Sequence, residues 1–487
     1  MSPLLLTLIA LQIVMGGLDT LGHHEATERL AWRHSQRREL RLHALRNLFY
    51  GGVLAGLATM QPGGWVALAL IAVLGAEFAI TLVDFAEEDA TRKLPTTERL
   101  LHTVLTANYG AILALLVPVL MGWSRDPAGL QPVWLGWWSV LFVAGGLACT
   151  VLAARDWLAA GRLERLPVRD VAALAPRSAQ PRTVLVTGGT GLIGQRLVPA
   201  LQAAGHRVIV LARQGNTRGL PPPFTVVSAL EEIGDHWPID AVINLAGAPI
   251  MAGPWTAAAR ARMRSSRIGV TRDLARLVAR LHTPPTVLIQ GSAVGAYGVA
   301  PGAVTEDSWI DVDGSFSQRL CLDWEAAAAP MAQLRTVLLR IGVVLDRNGG
   351  ALGSQLVPTE FAGGVRLGAG QQRISWISRD DLVRTVLHAL DDARLRGPLN
   401  AVTGVVRQRD LARLTARALH RPAWLAVPAA LLRRFGIGRE ILLADQAVRR
   451  DRPGPAPLDP DLERFLDTHL ARRPRRPARK VARARTA

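Results

Sequence analysis

The sequence predicts an α-helical membrane domain of about five spans, followed by an α/β domain with a doubly wound parallel sheet and a small C-terminal subdomain. Three observations predict this fold class. Long apolar runs dominate residues 1–157, a glycine-rich turn then separates a buried strand from a helix, and further apolar strands alternate with helical stretches after that turn.

The glycine-rich turn follows a short apolar strand directly and reads GGTGLIG from Gly188 to Gly194. Gly188 permits the tight turn, Gly191 lets the backbone approach a pyrophosphate, and Gly194 lets the helix pack closely on the strand. The helix N-terminus favours phosphate groups. These features predict a Rossmann-type dinucleotide site. Its turn residues are Gly188, Gly191, Leu192, Ile193 and Gly194.

The next predicted strand, 206–212, carries the signal for cofactor choice. An NAD site usually has an acidic residue where this strand ends, because a carboxylate binds the ribose 2′-hydroxyl. Arg213 stands there instead. An arginine suits a 2′-phosphate, so the sequence favours NADP(H) over NAD. The alternative is a glycine turn with a purely structural role.

The amino-acid composition indicates which kinds of partner the protein binds and whether its compartment is reducing. The formal net charge is +18, but it comes from arginines scattered along the chain, and Lys93 and Lys480 are the only lysines. We therefore predict no nucleic-acid partner. Two cysteines, Cys149 and Cys321, provide neither a disulfide framework nor a thiolate metal cage. The catalytic part is expected to face a reducing compartment.

The apolar stretches in residues 1–157 are long enough to be membrane spans. They cover residues 3–18, 46–61, 64–84, 100–121 and 133–154. The first is short and contains Gln12, and it lacks the basic start and cleavage site of a signal peptide. The sequence thus predicts a polytopic domain in a lipid bilayer.

The basic residues of the loops predict the orientation of these spans. Arginines and a lysine concentrate in the loops at 19–46 and 85–99 and after the fifth span, whereas the other two loops contain only Arg125. The positive-inside rule then places the N-terminus outside and the nucleotide domain in the cytoplasm. The predicted location is the cell inner membrane, with several passes.

Beyond the spans, the sequence divides into a linker, two subdomains and a tail. Buried strands are predicted over 241–247, 286–292 and 336–345. A short amphipathic helix over 461–470 precedes a basic end, which we interpret as solvated and disordered, with an anionic-lipid contact as the alternative. The predicted boundaries are a linker at 158–182, an NADP-binding domain at 183–396, a cap at 397–450 and a tail at 451–487.

Several motifs of the α/β part resemble the extended short-chain dehydrogenase/reductase superfamily, and in particular its atypical "epimerase family" branch with a small C-terminal domain of unknown function. They are TGGTGLIG at 187–194, NLAGAPI at 244–250, SAVGAYG at 292–298, DWEAAA at 323–328, RIGVVLDRNGGAL at 340–352 and SWISRDDL at 375–382. The resemblance implies that Ser292 and Tyr297 lie on the nicotinamide side and that 397–450 caps a substrate cleft. It also implies cofactor contacts on the adenosine side from Asn244, Leu245, Ala246 and Gly247.

The superfamily's catalytic dyad is missing. Its hydride chemistry uses a Tyr and a Lys four residues apart, the Lys lowering the pKa of the Tyr. Counted back from Glu325, the Lys position falls on Cys321 and the Tyr position on Ser317. The candidates that remain are Tyr297 as a weak acid and Ser292 or Cys321 as groups that orient a carbonyl. The alternative is that Ser292 and Tyr297 only pack beside the cofactor.

These features predict a membrane-anchored NADP(H)-binding oxidoreductase or epimerase-like protein acting on a small lipophilic substrate. The alternative is a catalytically silent NADP(H)-binding sensor or scaffold for the membrane domain.

Carboxylates and imidazoles also lie near the predicted cytoplasmic ends of the spans. Glu39 and His43, and likewise Glu98 and His102, stand four residues apart, on one helix face. Such groups from several helices form the sites of di-iron bundles, although the spacing here is E-x-x-x-H rather than E-x-x-H. The set suits a di-metal site for iron or manganese, but the many nearby arginines favour the alternative, which is that these residues form salt bridges. The predicted ligands are Glu39, His43, Glu77, Asp84, Glu88, Glu98 and His102.

The predicted topology can be tested with reporter fusions. A reporter fused after Gly122 is expected to be periplasmic, and one fused after Arg165 cytoplasmic, because the basic loops stay inside. Protease digestion of intact spheroplasts checks the same point. Cleavage of the nucleotide domain from the outer face would contradict the topology.

Overall fold

The computed structural model describes residues 1–91, 94–212, 217, 219–299, 302–312 and 314–471. The chain forms two compact units, Met1–Arg165 and Leu166–Ala487, which we call the helical unit and the nucleotide unit. The last helix of the helical unit ends at Arg165. Part of the linker predicted over 158–182 is therefore helical.

The helical unit is built of long helices. They are α1 (Pro3–Asp19), α2 (Arg37–Thr59), α3 (Trp65–Thr91), α4 (Thr96–Trp123) and α5 (Trp137–Arg165). A π-helical segment, Thr20–Glu28, continues α1. Among the described residues, four helical segments are long and apolar enough to cross a membrane, namely Pro3–Trp32, α3, α4 and α5. Helix α2 coincides with a predicted span but is not one of the four, so the number of spans stays a prediction.

Two short strands fix the direction of these helices. Strands β1 (Met60–Gly63) and β2 (Gly129–Pro132) pair antiparallel, which joins the α2–α3 connection to the α4–α5 connection. Both connections therefore lie at the same end of the bundle, and α2 to α5 run in alternating directions. The start of α2, the end of α3 and the start of α4, which carry the predicted metal ligands, lie at the other end.

The outside of the helical unit is strongly apolar. Trp65 and Trp137 are 69% and 85% exposed, and Leu18 and Leu147 are also exposed. Exposed apolar surface of this extent is typical of proteins that contact lipid or a partner.

The nucleotide unit contains a seven-stranded parallel sheet and three smaller sheets. In chain order its strands are β3 (Thr183–Thr187), β4 (Arg207–Leu211), β5 (Thr225–Val227), β6 (Ala241–Asn244), β7 (Val287–Ala293), β8 (Gly302–Val304), β9 (Arg335–Ile341), β10 (Val343–Asp346), β11 (Val365–Leu367), β12 (Arg373–Ser378), β13 (Gly397–Ala401), β14 (Gly404–Arg407), β15 (Leu425–Val427) and β16 (Gln446–Val448). The order in the main sheet is β13-β9-β7-β6-β3-β4-β5.

Helices cover both faces of the main sheet. The helices of the nucleotide unit, in chain order, are α6 (Gly194–Ala203), α7 (Ala257–Arg264), α8 (Val270–Arg280), α9 (Phe316–Ala326), α10 (Gly350–Ala362), α11 (Arg379–Asp391), α12 (Gln408–Ala418), α13 (Ala429–Arg433) and α14 (Leu462–Leu470). Successive residues of a strand point to opposite faces. Val184 and Val186 accordingly share a core with Leu197 of α6, whereas Leu185 shares the other core with Leu274 of α8. The doubly wound parallel sheet is therefore confirmed.

The prediction of a single strand over 336–345 is wrong, because the chain forms two strands there, β9 and β10, which belong to different sheets. Gly342 separates them, and a Cβ at this position would lie 2.7 Å from the Ser375 carbonyl oxygen. The glycine lets the chain pass this carbonyl while it changes sheets. An unbroken apolar run does not show such a change, since both strands are buried.

The predicted cap boundary at residue 397 divides the main sheet, because β13 is its edge strand. The smaller sheets instead combine segments from both sides of this boundary: β12 pairs with β14, β11 with β15 and β8 with β16. The segments that form these smaller sheets are therefore discontinuous in sequence.

The amphipathic helix predicted over 461–470 is present as α14. Its apolar side chains Phe465, Leu466 and Leu470 are buried. The predicted tail at 451–487 thus contains a packed helix, and residues 472–487 lie outside the described residues.

Candidate functional site

The strand order of the main sheet reverses between β3 and β6. From β3 the chain builds outward through β4 and β5, and then returns to β6 on the other side of β3. A crevice opens beyond the carboxyl ends of two strands at such a reversal, and this is where ligands bind in open α/β sheets. The glycine turn after β3 lies at this point.

Two glycines allow the backbone to approach closely around this crevice. Gly188 has a φ of +72°, and a Cβ there would lie 2.5 Å from the Leu245 carbonyl oxygen. A Cβ on Gly194, the first residue of α6, would overlap the Gly188 carbonyl oxygen. No other residue type fits at either position.

Gly191 leaves room for a ligand at the tip of the turn. It is exposed, and a Cβ there would meet only the Gly188 carbonyl oxygen, at 3.3 Å. Leu192 packs toward Gly349 at the start of α10, and Ile193 packs against the core. These two side chains anchor the turn, while the backbone around Gly191 and the α6 N-terminus fit a pyrophosphate.

Asn244 supports the ends of the strands with its side chain. Its amide nitrogen donates to Thr271 Oγ1 (2.8 Å) and Gln290 Oε1 (3.0 Å), and its Oδ1 accepts from Thr187 Oγ1 (2.5 Å). It is fully buried. Both amide hydrogens are thus used inside the protein, which leaves Leu245, Ala246 and Gly247 as the positions of this motif nearest the crevice.

Arg267 lies against this motif, because a Cβ on Gly247 would come within 2.8 Å of its guanidinium carbon. The Arg267 side chain is buried and donates to the Ala248 and Met263 carbonyl oxygens, at 3.1 and 3.2 Å. Burial lowers its pKa.

Arg213, the residue predicted to select the cofactor, lies outside the described residues. The strand leading to it is in place, since β4 pairs with β3 and Ala212 donates its amide to the Val227 carbonyl oxygen (2.9 Å). The choice between NADP(H) and NAD stays a prediction of the sequence.

Ser292, near the carboxyl end of β7, is part of a buried polar chain. Its hydroxyl donates to Glu325 Oε1 at 2.6 Å. Glu325, on α9, also accepts from Arg340 Nε and Nη2 at 2.9 and 2.8 Å. All three side chains are at least nine-tenths buried. With its hydrogen on Glu325, Ser292 can only accept a further hydrogen bond.

Tyr297 is buried, and its hydroxyl donates to Asn400 Oδ1 on β13 at 2.9 Å. The Arg340 guanidinium lies 4.7 Å from the centre of its ring. Burial raises the pKa of Tyr297, so the phenol is neutral at physiological pH. The hydroxyl therefore ties the segment after β7 to the edge of the sheet.

The two positions of the missing dyad lie on α9. The Ser317 amide donates to Glu440 Oε2 at 2.8 Å. Cys321 is buried one turn before Glu325 on the same helix, and burial, together with the Glu325 carboxylate, raises its pKa to about 12. Its thiol is neutral at pH 7 and is no thiolate nucleophile. Neither position offers an acid with a pKa near neutrality.

The sequence prediction missed three charged residues of this region: Glu325, Arg340 and Arg267. One signal was available, because Arg340 stands inside the otherwise apolar run TVLLRIGVVL. A buried charge requires a partner, but spacing alone does not reveal that Glu325 is that partner.

Comparison with known proteins identifies the family. A model of the NAD dependent epimerase/dehydratase family matches residues 184–401. The epimerase family protein SDR39U1 of Bos taurus is 34% identical over 268 residues, which are 54% of this chain and 89% of that protein. The epimerase family protein YfhF of Bacillus subtilis is 36% identical over 258 residues, 51% of this chain and 84% of that protein. The chain belongs to the epimerase family.

A solved structure supports the same assignment for the nucleotide unit. The crystal structure of human epimerase family protein SDR39U1 (isoform 2) with NADPH is 32% identical, with a TM-score of 0.52, and covers 59% of this chain and 97% of that one. The resemblance to the extended short-chain dehydrogenase/reductases is confirmed. The family match lies within the nucleotide unit, and the helical unit lies outside it.

The helical unit of this epimerase-family protein brings most of the predicted metal ligands together. His43 Nε2 lies 3.1 Å from Asp84 Oδ2 and 3.6 Å from Glu88 Oε1. His102 Nδ1 lies 3.5 Å from Glu88 Oε2. Glu98, at the start of α4, is fully buried beside them. Five of the seven predicted residues thus form one buried cluster.

Three predicted ligands lie outside the groups whose donor atoms converge, namely Glu39, Glu77 and Asp84, although Asp84 contacts His43. Glu77 accepts from Thr81 Oγ1 of its own helix at 2.8 Å. Two other residues, which the prediction missed, belong to the cluster instead. Asp19 Oδ2 lies 3.0 Å from His102 Nε2 and 3.5 Å from His24 Nε2. The π-helical turn after α1 carries His24 inward, and helical periodicity does not predict such a turn.

The Glu325–Arg340 pair is expected to be necessary for stability. Arg340→Met leaves the Glu325 carboxylate buried without its guanidinium, which typically costs about 3–5 kcal/mol. Chemical unfolding of the detergent-solubilised chain, followed by tryptophan fluorescence, measures the loss.

Arg276→Met is the matched control. Arg276 pairs with Asp273 on an exposed helix surface, where a salt bridge contributes about 1 kcal/mol or less. Equal losses in the two variants would contradict the structural role of the buried pair.

Proposed function

We propose that the protein is a membrane-anchored NADP(H)-dependent oxidoreductase or epimerase-like enzyme that acts on a small lipophilic substrate. The observation that carries the proposal is the glycine turn at the strand reversal, where Gly188 and Gly194 permit backbone contacts that a side chain would block. NADPH in the human SDR39U1 structure supports the same cofactor here.

Bound NADP(H) would supply or accept a hydride, and the chain's own residues would hold it. The backbone around Gly191 and the N-terminus of α6 would bind the pyrophosphate. Arg213 would bind the 2′-phosphate. Leu245, Ala246 and Gly247 would line the adenosine side, opposite Gly188.

The acid and base of the reaction need a route other than the Tyr–Lys dyad. Ser292 can accept a hydrogen bond from a substrate hydroxyl, because its own hydrogen is on Glu325. Tyr297 is the only phenol in residues 183–451. To serve as the acid, its hydroxyl would give up the hydrogen bond to Asn400 Oδ1 and donate to the substrate instead. Cys321 stays neutral and can only orient a polar group.

The alternative function is a catalytically silent NADP(H)-binding module that senses redox state or stabilises the helical unit. The observation that favours it is that Ser292 and Tyr297 both donate their hydroxyl hydrogens to internal acceptors. Nicotinamide absorbance during incubation with carbonyl and quinone libraries separates the two functions. Turnover supports the enzyme, and tight nucleotide retention without turnover supports the module.

Apolar surfaces support a lipid environment and a lipophilic substrate. The helical unit exposes large apolar side chains, including Trp65 and Trp137. Basic loops at 19–46 and 85–99 favour an inner-membrane protein with its nucleotide unit in the cytoplasm. In the nucleotide unit, Trp255, on the loop after β6, lies against Phe316 of α9, with ring centres 5.3 Å apart.

The transition metal predicted for the helical unit is independent of this assignment. None of its ligands belongs to the nucleotide unit.

Cofactor choice tests the role of Arg213. A charge-assisted contact to the 2′-phosphate is expected to contribute about 1.5–3 kcal/mol, which is roughly a tenfold to hundredfold preference for NADPH over NADH. Arg213→Ala should remove this preference and leave the affinity for NADH unchanged. Calorimetric titration with NADPH and with NADH measures the preference. Arg207→Ala is the control, because Arg207 is an exposed arginine at the start of β4, and it should keep the preference. Equal wild-type affinities would rule out the assignment.

Tyr297→Phe tests the proton donor. If the phenol supplies the proton, turnover should fall strongly while NADPH affinity is unchanged. If the phenol only binds Asn400, the variant should lose about 0.5–1.5 kcal/mol of stability and keep its turnover. Steady-state kinetics and thermal unfolding of the same preparations distinguish the two roles.

A further inference from the structure

A buried cluster in the helical unit joins residues from five separate elements. Asp19 ends α1, His24 lies in the π-helical segment, Glu98 and His102 lie in the first turns of α4, and their donor atoms all lie within 4.8 Å of one another. A second group, His24, His43 and Glu88, meets the same limit. These residues are at most about one-tenth exposed.

The spacing of the donor atoms fits one ion. His102 Nε2 and Asp19 Oδ2 are 3.0 Å apart, Asp19 Oδ2 and His24 Nε2 are 3.5 Å apart, and His24 Nε2 and Glu98 Oε1 are 3.7 Å apart. Ligands about 2.1 Å from a metal stand about 3.0 Å apart at right angles and about 3.4 Å apart in a tetrahedron. Small side-chain shifts are therefore enough to close the site around a cation.

The charges of the cluster favour a cation. Four buried carboxylates, those of Asp19, Asp84, Glu88 and Glu98, contribute negative charge, and opposite charges attract strongly where water is excluded. The Arg46 guanidinium lies 2.7 Å from Asp84, at the edge of the cluster.

Ring packing brings the two groups of donor atoms together. The rings of His24 and His43 are stacked, with centres 4.5 Å apart and planes 8° apart. His24 belongs to both groups, so the two candidate positions adjoin each other.

One fully buried atom points independently to an ion. Asp84 Oδ1 makes no hydrogen bond with any described residue, whereas Asp84 Oδ2 contacts both His43 and Arg46. His43 Nε2 is directed between two carboxylates, 3.1 Å from Asp84 Oδ2 and 3.6 Å from Glu88 Oε1. Buried polar atoms without a partner are rare in folded proteins, and a bound ion is one of their established causes.

We propose that the helical unit binds a divalent iron or manganese ion through Asp19, His24, Glu98 and His102, with an adjoining second position at His43 and Glu88. Carboxylates and imidazoles without a thiolate suit these metals. Glu88 beside His102 Nδ1 is placed as the outer acceptor that orients a metal-bound imidazole. Such ligand sets from antiparallel helices are known in di-iron bundles.

Metal analysis of the full chain tests the site. The protein is purified in detergent without chelators, after growth with iron and manganese, and the monodisperse fraction is analysed by mass spectrometry for metals. We expect about one to two ions per chain in the wild type and a loss of at least tenfold in Asp19→Asn and His102→Ala. Glu77→Gln, a buried carboxylate of α3 outside the cluster, is the matched control and should keep its metal.

A second measurement covers variants that fold poorly. Wild-type protein treated with chelator should regain a higher melting temperature when Mn²⁺ or Fe²⁺ is added, because the ion binds only the folded bundle. The Asp19→Asn protein should show no such gain. Its NADPH affinity should stay unchanged, which separates the metal site from the nucleotide assignment.

Wild-type protein with less than about one-tenth of an ion per chain, and with no gain in melting temperature on adding either metal, would overturn the proposal. Equal metal loss in Glu77→Gln and Asp19→Asn would overturn the ligand assignment.

Discussion

The nucleotide unit depends on the close approach of three backbone segments at one point of its sheet. The end of β3, the end of β6 and the start of α6 meet where Gly188 and Gly194 have no side chains. This contact sets the crevice at the strand reversal and directs α6 toward it. The Asn244 network with Thr187, Thr271 and Gln290 then fixes the strand ends. A Cβ at either glycine would separate these segments and remove the crevice.

Beside this crevice, a buried ion pair takes the place of a reactive dyad. In the usual arrangement, a lysine tunes a tyrosine. Here α9 carries Cys321 and Ser317 at those positions, and its buried charge, Glu325, is neutralised by Arg340 from β9. Both Glu325 oxygens are held by the guanidinium. Any chemistry at this point must therefore use Ser292 as an acceptor, or a group that exchanges an internal hydrogen bond for one to the substrate.

The structure that adjacent residues determine was predicted best from the sequence. The strand, turn and helix from β3 to α6 follow from a few adjacent residues, and Leu197 and Leu201 point inward as their spacing requires. The change of sheet at Gly342 was not predictable, because an apolar run has the same appearance in one strand or two. The partner of Arg340 and the place of Asp19 in the buried cluster of carboxylates and histidines both depend on contacts between distant segments. Periodicity carries no information about those contacts.

The π-helical segment Thr20–Glu28 makes the length of the chain there as important as its composition. A π-helical turn holds more residues than an α-helical turn, and this places both His23 and His24 beside Asp19. If this segment wound as an ordinary α-helix, His23, four positions after Asp19, would stay on the same face, whereas His24, five positions after it, would turn away. His24 would then leave Glu98, although no ligand had been substituted. Relatives of this helical unit should therefore vary in sequence between α1 and α2 more readily than in the number of residues there.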